Sequence, residues 1–263
     1  MKDISARLPD QSRIRHSFRR GLGSYHHAAS VQARIAARLA QLLAEGGAPQ
    51  RFDTALEFGC GTGHLTARLG QRFRLGQLLL NDLVPEAEMA LSAVSSQDRP
   101  QARFAAGAIE TLALPPQLEL IASASTVQWI ADLPTLLVRL RDHLAPGGWL
   151  LLSGFGRRHF HELAALGSAA AAPRYLDAPD WPAVLPQGLE LLALEQQPQV
   201  LHFDGAMPLL KHLRQTGVNG HAQQGWSRRQ LRNFEERYRA RFGADGQLPL
   251  TYDPVLLLAR KAR

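Results

Sequence analysis

The stretch Ala55-Leu56-Glu57-Phe58-Gly59-Cys60-Gly61-Thr62-Gly63 holds the residues best suited to chemistry. A short apolar run ends in three glycines spaced one apart, and a helical pattern starts at once. Glycine at such a turn permits positive φ and lets the backbone approach a ligand closely. The first turn of the following helix adds N–H groups with no partner inside the helix. The combination suits a nucleotide, although dinucleotide-using oxidoreductases place a glycine turn at the same point. Two acids narrow the reading. Glu57 stands just before the first glycine, near enough to meet a cationic group directly or through water. Asp82 ends the next apolar run, where a carboxylate accepts hydrogen bonds from both hydroxyls of a ribose.

The elements that must position these residues alternate. A helix is expected near 30–44, capped by Ser30, with Val31, Ile35, Leu39 and Leu42 on one stripe and Gly46-Gly47 at its end. Strands follow at 54–58, 77–81, 103–106 and 118–124, with helices at about 63–72 and after Pro85. Asp132 is placed to cap a helix carrying Leu133, Leu136, Leu137, Leu140 and Leu144. Pro146-Gly147-Gly148 then breaks the chain before a strand at 149–153. Strands separated by helices of this length imply parallel βαβ units with right-handed crossovers. Beyond 157 the alternation weakens. Segments 158–182 and 205–245 read as mostly helical, and 188–194, 199–203 and 255–260 as strands pairing near the end of the same sheet. A helix over 227–242 puts Leu231, Phe234, Tyr238 and Phe242 on one stripe.

Three details favour S-adenosylmethionine as the nucleotide. The spacing is E-x-G-x-G-x-G, Asp82 sits where the ribose would lie, and Pro146-Gly147-Gly148 separates a leucine-rich helix from a strand. This arrangement over roughly 50–156 resembles class I methyltransferases. The resemblance implies an α/β, Rossmann-like fold with a seven-stranded, mostly parallel sheet, an antiparallel last strand, and N-terminal and late helical caps. The expected cofactor set is Glu57, Gly59, Cys60, Gly61, Gly63, Asp82, Leu83, Ala108, Ile109 and Ser123, with Cys60 contributing only backbone. Ala108 departs from the pattern, which commonly carries an adenine-binding aspartate there, so adenine contacts are expected from backbone near Ala108 and Ile109.

Four further stretches resemble the malonyl-[acyl-carrier-protein] O-methyltransferase family of biotin synthesis. They are Ser17–Arg20 through Tyr25 to Val31-Gln32, Ser123–Trp129, the L-R-Q-T-G-V-N run Leu213–Asn219, and Leu248–Pro254, read as a turn before the last strand. The fourth strand departs from the pattern at Glu119, where an aspartate is frequent. The resemblance implies esterification of the free carboxylate of a malonyl thioester, on acyl carrier protein or coenzyme A. Arg214 is the expected bidentate carboxylate clamp and Tyr25 a hydroxyl donor over the cofactor. Gln128 and Trp129 stand at the carboxyl edge of the sheet, where ligands bind in such folds. The chain reads as one domain, with a lid over 1–50, a cofactor core over 51–156, and late strands interrupted by a helical cap at about 205–245.

Composition sets the outer limits. Hydrophobic residues make up 45% of the 263, enough for a packed α/β core. The absence of a long apolar run and of an apolar leader points to a cytoplasmic protein that neither spans a membrane nor is secreted. Cys60 is the only cysteine, which suits a reducing compartment. Net charge is +7, and Lys2, Lys211 and Lys261 are the only lysines among 30 basic residues. An arginine-rich surface suits an acidic partner, and acyl carrier protein is strongly acidic, so the basic arm (Arg13, Arg15, Arg19, Arg20) and the 227–242 helix are candidate docking surfaces. A codon bias toward arginine explains the same count. RNA is disfavoured because no aromatics interleave the basic residues. No metal-ligand spacing is present. The alternatives are a class I enzyme acting on another small molecule or RNA, and a cofactor-binding regulator without catalysis.

Overall fold

The computed structural model describes residues 15, 19, 25, 26, 28–91, 101–167, 174–216 and 227–263. Its framework is a seven-stranded sheet built from β1 (Arg51–Phe58), β2 (Arg74–Asp82), β3 (Gln101–Ala106), β4 (Leu118–Ser123), β5 (Leu144–Phe155), β6 (Leu189–Gln196) and β9 (Pro254–Lys261). The order is β3-β2-β1-β4-β5-β9-β6. The first five strands pair in parallel, and β9 runs antiparallel to both β5 and β6. The expected α/β class, mostly parallel sheet and antiparallel last strand are all present.

Parallel strands covered on both faces read as continuous apolar runs because every side chain is buried. Here alternate residues divide between two cores. Leu78, Leu80, Leu120, Leu151 and Leu258 join α1 (Ser30–Glu45) and α2 (His64–Arg72) on one face. Leu79, Ile121, Leu150, Leu152 and Leu257 join α4 (Leu133–His143) and Trp181 on the other. The α1 stripe of Val31, Ile35, Leu39 and Leu42 is buried as its spacing predicts. Asp132 caps α4 by accepting from Thr135 N at 3.2 Å. Helix α3 (Ala87–Leu91) follows Pro85 as expected.

Several expectations need correction. Ser30 is the first helical residue of α1 rather than its cap; Ala29 holds that position with no side-chain acceptor. Pro146-Gly147-Gly148 does not precede β5 but lies within it, as a register shift between Leu118 and Leu120 of β4. A Cβ on Gly148 would meet Ala145 O and Leu118 O at 2.9 Å, so glycine is what lets the irregular strand stay paired. In 158–182 the described helices are short: α5 (His161–Ala165), a 3₁₀ turn at Ala178–Asp180, and α6 (Trp181–Val184). The largest departure is at the end of the chain. β7 (Gln199–Phe203) does not join the main sheet. It pairs antiparallel with β8 (Leu248–Tyr252), the segment that reads as a turn in sequence. Alternation alone says that such runs are strands and leaves the partner open.

Between β7 and β8 lie α7 (Ala206–Gln215) and α8 (Arg228–Phe242), the expected helical cap. Tyr238 is fully buried, and Leu231, Phe234 and Phe242 pack beside it on the core. Glu235 of α8 accepts from Ala206 N at 3.0 Å, which satisfies a donor at the start of α7 and locks the two helices together.

Candidate active site

The carboxyl ends of β1, β2 and β4 open onto a cleft of about 920 Å³, a figure that includes open solvent at its mouth. Its lining includes Gly59, Gly61, Asp82, Leu83, Ala108 and Ile109 from the expected cofactor set, and Tyr25 and Trp129 from the expected acceptor set. Five separate segments of the chain therefore converge on one place.

The glycine turn is built as its residue types demand. Gly59, Gly61 and Gly63 have φ of +65°, +51° and +82°, values that L side chains rarely adopt. Cys60 N donates to Asn81 O at 3.0 Å, which ties the turn to β2. A Cβ at Gly59 would fall 2.1 Å from Thr126 Oγ1, so glycine is required there for space as well as for φ. Asp82 closes the turn from the next strand. Its Oδ2 accepts from Gly61 N at 2.8 Å and its Oδ1 from Val84 N at 2.8 Å. A carboxylate has about four acceptor sites, so both oxygens keep capacity for a diol. Burial raises the Asp82 pKa, and these N–H donors offset part of that rise.

Four members of the expected cofactor set do not line the cleft. Glu57 is 2% exposed, and its Oε2 accepts from Thr66 Oγ1 at 2.8 Å behind the turn. Burial raises its pKa to about 8, so the acid expected to meet a cationic group directly or through water stands here as a neutral side chain bracing α2. Cys60 is buried, with its thiol pKa pushed up by burial and the neighbouring acids. Gly63 is the N-cap of α2. Ser123 Oγ donates to Phe58 O at 2.8 Å, pinning β4 to the end of β1.

The acceptor candidates divide in the same way. Tyr25 lines the cleft, and burial together with the Asp82 charge raises its phenol pKa. Trp129 lines it as well, within a 3₁₀ turn at Val127–Trp129. Gln128 turns away: its Nε2 donates to Ser125 O at 2.6 Å, bracing the turn from beneath. Arg214 stands exposed on α7 and does not line the cleft; Gly217–Asn219 of the same motif lie outside the described residues. The buried side of α7 is tied to β8 through His212 Nε2 and Tyr252 Oη at 2.7 Å. Tyr252 is close enough to Tyr25 for the two phenols to interact electrostatically.

Sequence reasoning missed Asn81, Ser125, Thr126 and Glu110. Asn81 Nδ2 donates to Ala105 O and Gly107 O, both at 2.9 Å, fixing the loop after β3. Ser125 lines the cleft at φ +55°, a strained value for a residue with a side chain. Asn81 had a signal beside Asp82, and Thr126 lay inside the Ser123–Trp129 motif, but their roles depend on strands that meet only in space.

A family profile described as a methyltransferase domain matches residues 56–150. The malonyl-[acyl-carrier protein] O-methyltransferase of Chlorobium luteolum is 33% identical over 97% of this chain and 97% of its own. That of Acinetobacter baylyi is 34% identical over 96% and 97%. Among solved structures, a putative methyltransferase from Bacillus halodurans aligns with a TM-score of 0.64 at 16% identity, covering 86% of this chain and 99% of that one. The N-methyltransferase NodS from Bradyrhizobium japonicum, in complex with S-adenosyl-L-homocysteine, aligns with a TM-score of 0.50 at 16% identity over 91% and 99%. At that identity the structural likeness speaks to fold.

Proposed function

The chain belongs to the malonyl-[acyl-carrier protein] O-methyltransferase family, and on that premise we propose that it methylates the free carboxylate of a malonyl thioester on acyl carrier protein, an early step of biotin synthesis. The observation that carries this reading is a shared cleft. The nucleoside-type groups Gly61 and Asp82 face the same space as Tyr25, which comes from before the common methyltransferase core, and Trp129, which ends the Ser123–Trp129 stretch. We read the whole chain as one domain, in which 51–156 hold the cofactor while the stretch before 50 and the 205–245 cap shape the acceptor side.

The residues present fit S-adenosylmethionine. Asp82 keeps free acceptor sites for a ribose, the Gly59–Gly61 backbone lies open to close approach, and Leu83, Ile109 and Ile130 offer apolar walls to a flat ring. When bound, the cofactor supplies a methyl group on a cationic sulfur and is left as S-adenosyl-L-homocysteine. A malonyl carboxylate is already nucleophilic at neutral pH, so the chain has little proton transfer to perform; its work is placement and exclusion of water. The raised pKa keeps Tyr25 protonated and able to donate to the acceptor carboxylate. Arg214 stands on the exposed face of α7 outside the cleft lining, and it remains the proposed clamp on the strength of the Leu213–Asn219 resemblance. Esterification hides the carboxylate charge.

Carrier-protein docking rests on α8. Arg228, Arg229, Arg232 and Arg237 are exposed and make no ion pair with another described residue, whereas Arg239 is held by Glu235 at 2.9 Å. Charge at a rim acts on encounter rate and fades with salt. In the N-terminal arm, Arg19 pairs with Glu86 at 2.7 Å, while Arg13 and Arg20 lie outside the described residues. No described helix is long and apolar enough to cross a membrane.

Mass spectrometry of malonyl-acyl carrier protein incubated with protein and S-adenosylmethionine tests the proposal. One added methyl on the malonyl group is expected, and malonyl-coenzyme A provides the second arm. Cofactor binding with no methyl on either thioester would overturn the acceptor assignment.

A further inference from the structure

The cleft presents two carboxylates, and they are in opposite states. Asp82 is already engaged by two backbone N–H groups. Glu110, which also lines the cleft, is half-buried and has no hydrogen bond or ion pair with any described residue. It sits on a loop held by several hydrogen bonds. Gly107 N donates to Asp82 O at 2.9 Å, and Gly107 O accepts from Asn81 Nδ2. Ala108 O accepts from Thr111 N and Leu112 N at 3.2 and 3.1 Å. The two carbonyls flanking Glu110 are held from outside the loop by one guanidinium: Arg139 of α4 donates Nη1 to Ile109 O at 2.6 Å and Nη2 to Leu112 O. A rigid fork spanning both sides of Glu110 restricts where that side chain can project.

An adenine ring carries an exocyclic amine, a donor that loses water when the ring enters a cleft and needs an acceptor in return. Ala108 offers no side-chain acceptor, and the neighbouring Leu83, Ile109 and Ile130 are apolar. We propose that Glu110 supplies the acceptor for the adenine amine, and that Arg139 is the positioning residue that holds it in place. This inference rests on the cofactor reading above and deepens it by naming the base-selecting pair.

The test compares two probes by titration calorimetry: S-adenosyl-L-homocysteine, and its inosine analogue, in which a 6-oxo group replaces the amine. Wild-type protein is expected to bind the adenine form more tightly. Glu110→Ala should lose roughly tenfold or more in affinity for it and bind the inosine form almost as wild type does. Glu110→Gln, which can donate to a 6-oxo group, should narrow or reverse the preference. Arg139→Lys should give a smaller loss confined to the adenine form. Unchanged discrimination in both Glu110 variants would overturn the assignment, and equal loss of both ligands in Arg139→Lys would overturn its positioning role. If wild type binds neither ligand, the cofactor reading itself fails, a separate outcome. Melting temperatures of the unliganded Glu110 variants, expected to match wild type, distinguish a binding effect from unfolding.

Discussion

The cofactor end and the cap end of the cleft are built by different means. At the cofactor end, the glycine turn and the strand ends beside it are held chiefly by backbone meeting backbone or a buried carboxylate: Cys60 to Asn81, Gly61 and Val84 to Asp82, Gly107 to Asp82. At the cap end, α7 and α8 are joined to each other and to β8 by side chains, with Glu235 on Ala206 N, His212 on Tyr252 and Tyr238 Oη donating to Pro249 O at 2.6 Å. The first is assembled by the fold itself, and its groups are in place before any ligand arrives. The second carries its proposed charged contact, Arg214, on an exposed helix face. Affinity for the nucleoside should therefore be hard to alter except at the turn, whereas use of the acceptor should respond to many changes around the cap.

The harshest way to break this comparison is Gly59→Ala. The new Cβ would meet Thr126 Oγ1 at 2.1 Å and sit at φ +65°. Strain and overpacking together cost on the order of 2–5 kcal/mol. Calorimetry should show cofactor affinity lost, with the acceptor side irrelevant because nothing binds first. Arg214→Ala comes next. Loss of a bidentate charge-assisted contact is worth about 1.5–3 kcal/mol, so kcat/KM for the malonyl substrate should fall by tenfold or more while the cofactor Kd stays put. Equal loss of both would remove Arg214 from the acceptor and blur the division between the two ends.

Tyr252→Phe sharpens the cap side. It removes the phenol that His212 meets at 2.7 Å, with an expected cost of about 1 kcal/mol. Steady-state kinetics should show this as a raised KM for the acceptor with cofactor binding unchanged. The smallest functional effect is expected at Glu57→Gln, because the native acid is neutral and turned to Thr66. Its signature is in stability. A folded-state pKa of about 8 means that, between the ordinary carboxylate range and pH 8, the folded protein keeps a proton that the unfolded chain has released. Stability therefore declines as pH rises through that window. Thermal melts from pH 5 to pH 8 should fall less steeply in Glu57→Gln than in wild type; parallel curves would mean the acid is ionised in the fold.

Much of the cofactor end was legible because its constraints are local. Three glycines at alternating positions state their φ requirement in the sequence, and an apolar run ending in Asp82 states where a strand stops. The same locality explains the errors. Glu57 and Ser123 have the right types for ligand contact, yet each satisfies a neighbour, Thr66 or Phe58 O, because burial leaves a polar group no alternative. Nothing in the spelling of Leu248–Tyr252 says that it is β7's partner, since Gln199–Phe203 lies about fifty residues earlier with two helices between them.

The amino-acid order by itself determined the alternation of strand and helix, the glycine turn, the acid at the end of β2, and membership of a family that shares all three. These follow from hydrogen-bond and burial needs that each segment carries with it. Only the tertiary structure decided that Thr126 presses on Gly59, that Tyr25 and Trp129 reach the same cleft as Asp82, that Arg214 does not, and that Arg139 grips the carbonyls on either side of Glu110. Those meetings depend on how packed layers superpose across tens of residues, and a pattern that repeats every two or four positions holds no record of that distance.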